Sequence, residues 1–87
     1  MKKKTPIISY RRRKYDPARL QHLLDSEGLS YHKLAKIVSS ALGSNVQYIT
    51  VRRHVRGEQD PHIKYIAAYA DVFAVPVDYF FGGILEY

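Results

Sequence analysis

Ser44-Asn45-Val46-Gln47-Tyr48-Ile49-Thr50-Val51-Arg52-Arg53-His54-Val55-Arg56-Gly57-Glu58-Gln59-Asp60-Pro61 is the stretch on which the reading of this chain turns. Val51 and Val55 are four apart and share one helical face with Val46 and His54. Gln47, Tyr48, Ile49, Arg52, Arg53 and Arg56 cover the rest. The spacing predicts a helix from about Val46 to Arg56, ended by Gly57 in the left-handed position that glycine tolerates. Its outward face carries three arginines and no acid. A guanidinium presents donors in pairs, which suits both guanine edges and phosphate oxygens. Arginines on a helix are also commonly just a solvated face, so the flanking sequence has to decide.

Upstream, Ser30 is a capping residue for a helix from about Tyr31 to Leu42, where Leu34, Val38, Ala41 and Leu42 recur with helical period and Ile37 lies beside them. Lys33 and Lys36 sit near its start, where cations oppose the helix dipole. That placement fits a phosphate near the helix start, although exposed lysines need no special cause. Gly43-Ser44-Asn45 is the turn into the arginine-bearing helix. Before Ser30, Asp16-Pro17 is a strong start signal for a first helix over about Pro17 to Ser26. Leu20, Leu23 and Leu24 form its stripe, Arg19, Gln21 and His22 are read as pointing away, and Gly28 ends it.

Downstream, Asp60-Pro61 repeats the start signal and launches a fourth helix. Ile63, Ile66, Ala67, Ala70 and Phe73 form its inward stripe, with Tyr65, Tyr69 and Val72 beside it. After Val75-Pro76, the segment Val77 to Gly83 reads as a short fifth helix stopped by paired glycines. Ile84, Leu85 and Tyr87 then leave apolar groups that a chain of 87 residues has little core to cover.

Net charge is +6, and its location is more informative than its size. Lys2, Lys3, Lys4, Arg11, Arg12, Arg13 and Lys14 place seven positive charges and no acid in the first 15 residues, whereas the rest has seven basic against eight acidic residues. Residues 1–15 are therefore read as a basic arm and 16–87 as one folded domain. Such polarity favours a polyanion docking on one side. The bland counterpart is a solubilising tail.

Cysteine is absent, which rules out disulfides and thiolate metal sites. His22, His32, His54 and His62 lack metal-ligand spacing, so no metal is expected. No apolar run is long enough to cross a bilayer, and no signal-peptide core follows Met1. The chain is read as soluble and cytoplasmic, nucleoid-associated when bound to DNA. Neither an acid–base pair, an activated nucleophile nor a glycine-rich phosphate loop occurs at workable spacing, so neither an enzyme nor a cofactor is expected.

In order, Gly-Leu-Ser at Gly28 to Ser30, Leu34-Ala35, Thr-Val-x-Arg-x-x-x-Gly at Thr50 to Gly57, Pro61, Ile66-Ala67 and Val-Pro-Val-Asp-Tyr-Phe from Val75 to Phe80 resemble the lambda-repressor-like helix-turn-helix family, the Cro/cI or XRE type. The resemblance spans about Leu20 to Phe81. It implies an all-α fold, a compact bundle of about five short helices in which the second and third form the helix-turn-helix and the third lies in the major groove. Carried over, Gln47, Tyr48, Ile49, Arg52 and Arg53 fall at base-contacting positions. Arg56 and the Gly57 to Gln59 loop fall where phosphates are met; Lys33 and Lys36, from their place near the start of the second helix, are read as further phosphate contacts. Some members wrap a lysine-rich arm around the duplex, which the Lys2 to Lys14 segment resembles. Two features depart from the pattern. The link between the second and third helices is several residues longer than the usual tight turn, and His54 stands where a large apolar, often aromatic, residue is usual. His54 is read as a packed imidazole.

The expectation is a sequence-specific double-stranded DNA-binding regulator, a small repressor of phage, plasmid or bacterial type. One reading helix contacts few base pairs, so a homodimer on a two-fold site is expected, with Tyr79, Phe80, Ile84, Leu85 and Tyr87 as its contacts. No small-molecule effector is evident. An architectural or accessory DNA binder and an antitoxin-like protein-interaction module are the alternatives.

Overall fold

The structure is a computed structural model, and it describes residues 14–82. These form four α-helices and a 3-10 turn: α1 Pro17–Glu27, α2 Tyr31–Leu42, α3 Tyr48–Val55, α4 Ile63–Phe73 and the turn Val77–Phe80. No strand occurs among the described residues. Lys2, Lys3, Lys4, Arg11, Arg12, Arg13, Ile84, Leu85 and Tyr87 lie outside them.

The helix boundaries follow local chemistry. The Asp16 side chain accepts the Ala18 N–H at 3.1 Å, and Pro17 occupies the first turn of α1. Gly28 closes α1 at φ 66, and the Leu29 N–H reaches back to the Leu24 carbonyl at 3.0 Å. Ser30 Oγ accepts the Lys33 N–H at 3.0 Å to open α2, and Gly43 at φ 70 closes it. His62 Nδ1 accepts the Lys64 N–H at 3.2 Å and starts α4.

A core of short aliphatic side chains joins the helices. Leu20 and Leu24 of α1, Leu34 and Val38 of α2, Val51 and Val55 of α3, and Ile66 and Tyr69 of α4 meet with Phe80, all buried. Burying each is worth roughly 1.5–3 kcal/mol, the scale that fixes the inward faces.

Several expectations are corrected. The fifth helix is a four-residue 3-10 turn. Phe81 leaves helical geometry for extended backbone (φ −113, ψ 99), where Tyr15 bridges it. The Asp16 N–H donates to the Phe80 carbonyl at 2.8 Å, and the Gly82 N–H to the Lys14 carbonyl at 3.2 Å. Pairing with Lys14, Tyr15 and Asp16 thus replaces another helical turn. Phe80, expected at a dimer contact, is 0% exposed and belongs to the core.

The α4 stripe is rotated from its expected position. Ile66, Tyr69 and Ala70 are buried, whereas Ile63 is 56% exposed and Ala67 lies outside. The buried face combines Ile66 and Ala70 of the expected stripe with Tyr69 of the neighbouring one, whose phenol meets a buried partner on α3. Arg19 does not face away. Its Nη1 donates to the Tyr79 carbonyl at 3.1 Å, its guanidinium lies 5.5 Å from the Tyr79 ring centroid, and Asp16 is 3.6 Å away. Arg19 thereby ties α1 to the 3-10 turn.

Candidate nucleic-acid interface

α3 begins at Tyr48, two residues later than the spacing predicts, and Gln47 becomes its cap without a side-chain bond. Ser39 is the cause. Its hydroxyl accepts the Val46 N–H at 2.8 Å and donates to the Ala35 carbonyl at 2.7 Å, so the hydroxyl of α2 holds Val46 outside the helix. The long link is therefore a clamped loop, with Val46 buried as its anchor.

The inner side of α3 is Val51, His54 and Val55. With that side fixed, the helical period turns Arg53 outward, leaves Arg52 half-buried at the edge, and exposes Arg56 as the closing residue. Gln47 is exposed, Tyr48 is 43% exposed, and Ile49 is half-buried. Arg56 Nε bonds Glu58 Oε2 at 2.9 Å, with both side chains about half exposed. A pair so open to water contributes little stability, and the guanidinium keeps donors to spare. Arg52 and Arg53 have no ion pair among the described residues. Their charges also sit at the C-terminal end of α3, where the helix dipole favours cations.

Lys33 and Lys36 are exposed on α2, as are Gln59 beyond α3 and Lys14. Lys36 and Tyr48 line one cleft, so α2 and α3 contribute to a common surface. Tyr79 stands apart: the 3-10 turn packs on α1 and α4, and its ring is engaged by Arg19 and Phe80.

His54 is buried although polar, 1% exposed. The Tyr69 phenol lies 2.7 Å from Nδ1 and has no other acceptor among the described residues, so it donates to that nitrogen. The imidazole proton then sits on Nε2, a buried atom with no partner among the described residues. Burial lowers the pKa of His54 to about 4, against the opposing pull of Asp60. Burial likewise raises the phenols of Tyr15 and Tyr69, keeping both as donors. Tyr15 donates to the His54 backbone carbonyl at 2.7 Å, which anchors the end of the basic segment to the last turn of α3.

The histidines serve separate local purposes. His62 caps α4, His54 is core, His22 is exposed, and His32 stacks on Tyr48 with ring centroids 4.1 Å apart and 18° between planes. Sequence reading missed His32, Asn45 and Ser39 as parts of this surface. An exposed tyrosine opening a short helix signals a partner across the preceding link, but helical spacing within α2 does not say which residue. In comparisons with protein-family models, curated proteins and solved structures, none matches the chain. No helix among the described residues is long and apolar enough to cross a membrane.

Proposed function

We propose that the protein is a sequence-specific double-stranded DNA-binding transcriptional regulator, a small repressor of phage, plasmid or bacterial type. In this reading α2 and α3 act as a helix-turn-helix. α3 enters the major groove with Gln47, Tyr48, Ile49, Arg52 and Arg53 toward base edges, and Lys33, Lys36, Arg56 and Gln59 meet phosphates. The basic arm through Lys14 adds backbone contacts from its anchor at Tyr15 beside α3. The ordered motifs of the sequence agree with this assignment.

One observation carries it. Arg52 and Arg53 remain without a carboxylate partner among the described residues, on a helix whose opposite side is locked into the core. A homodimer follows from the geometry of reading, because one short helix spans few base pairs and two half-sites about one duplex turn apart supply the rest.

Selection of bound sites from a random duplex pool tests the proposal. The expected outcome is a defined two-fold site; enrichment of no sequence, or equal binding of every duplex, refutes it. A second reading, an antitoxin-like protein-interaction module, draws on Ile37 and Ile63, which are 39% and 56% exposed. Gel filtration separates the two: a homodimer that discriminates its site supports the regulator, and an obligate heteromer supports the module.

A further inference from the structure

The stacked rings of Tyr48 and His32 wall one side of an open cleft of about 410 Å³ between α2 and the start of α3. Ala35 and Val46 contribute its apolar lining, and Lys36 and Asn45 are exposed at its rim. No carboxylate lines it, and Lys36 has no ion pair among the described residues. The Ser39 hydroxyl also borders the cleft, but it is committed to the Ala35 carbonyl and the Val46 N–H. The hollow is thus shaped in advance by the protein's own bonds, and the polar side chains along it besides Ser39 are the Lys36 ammonium, the Asn45 amide, the His32 imidazole and the Tyr48 hydroxyl.

We propose that this cleft is a thymine-reading subsite: it takes the C5-methyl group of a thymine against Ala35, Val46 and the Tyr48 ring. The assignment rests on the duplex-binding reading above and deepens it. Among the base edges of the major groove, thymine presents an apolar group, while the others offer donors and acceptors. The apolar part of the cleft, Ala35 and Val46 beside the Tyr48 ring face, gives those polar edges nothing in exchange for lost water. The cleft is larger than a methyl group, so the flank of the pyrimidine and the adjoining sugar-phosphate enter with it, and Lys36 at the rim meets the phosphate. Asn45 carries the paired donor and acceptor that match the N6 and N7 atoms of adenine, thymine's partner. The subsite therefore reads an A·T pair from outside the row of arginines.

Deoxyuridine differs from thymidine only by the missing methyl, which makes it the probe. The full chain is titrated against its selected duplex with each thymine replaced singly by deoxyuridine. One position in each half-site is expected to weaken binding about fourfold, the worth of one buried methyl-sized group. In Tyr48→Ala the same replacement is expected to have no further effect. Lys36→Ala is expected to weaken the thymine and uracil duplexes equally. The inference is overturned if a defined site is selected yet every deoxyuridine duplex binds like the parent, or if Tyr48→Ala keeps the full penalty. Failure to select any site sinks the duplex-binding reading itself, and the subsite with it.

Discussion

Acid should find the weak point of this core at one residue. His54 is 1% exposed, and burial lowers its pKa from 6.5 to about 4. A second proton would have to go onto Nδ1, where it would displace the Tyr69 hydroxyl from its acceptor. The unfolded chain takes up that proton first. The contribution of His54 to stability is therefore complete above pH 6.5 and is lost as the pH falls toward 4. At about 1.4 kcal/mol per unit, the loss is about 2 kcal/mol between pH 7 and pH 5 and about 3 kcal/mol by pH 4. Against a total of roughly 5–15 kcal/mol for a domain, that is a large share.

The assay is urea unfolding from pH 7 to pH 4.5 on the parent and on the double variant His54→Phe/Tyr69→Phe. The double change removes the titrating ring without stranding the Tyr69 hydroxyl, and the difference between the two proteins isolates what that ring contributes. The stability difference should move by about 2 kcal/mol in the variant's favour between pH 7 and pH 5. A difference that stays constant with pH would refute the reasoning, as would a directly titrated His54 ring resonance with an ordinary midpoint.

Arg52→Ala is expected to lose about 1–3 kcal/mol on the selected site with relaxed specificity, measured by competition binding; equal losses on all sequences would remove Arg52 from base reading. Deleting residues 1–13 should flatten the dependence of affinity on salt, by about 0.9 log units for each phosphate that the arm no longer neutralises, while melting stays cooperative. An unchanged slope would make the arm a bystander. Ser39→Ala strands the Val46 N–H and should cost about 1–3 kcal/mol, with faster hydrogen exchange at that amide as its local signature. Gly57 has φ 75, and a Cβ there would stand 2.9 Å from Pro17 Cγ. Gly57→Ala should therefore destabilise by about 2 kcal/mol in urea, and an unshifted midpoint would show that the loop relaxes freely.

Much of the helical layout could be read from local chemistry. Asp16-Pro17, Ser30, Gly28 and Gly43 act over a turn or less, so the bounds of α1 and α2 follow from residues next to them. The arginine row was legible because Val51 and Val55 fix the helix rotation by themselves. Errors arose where a distant residue decides. Ser39 delays α3, Tyr69 turns α4 toward His54, and Tyr15 pulls Phe81 out of a helical path. None of these partners shares a helical face with the residue it controls, so periodicity could not reveal them. The His32–Tyr48 stack escaped notice for the same reason.

The brace between Arg19 and Tyr79 joins residues 60 positions apart. On a translating ribosome, α1, α2 and α3 emerge well before that brace has its second half. The nascent chain thus displays its arginine row on an unsealed scaffold, and a message cut short before the codon for Tyr79 would yield a product lacking the latch. Maturation of this fold waits on the codons that encode its 3-10 turn.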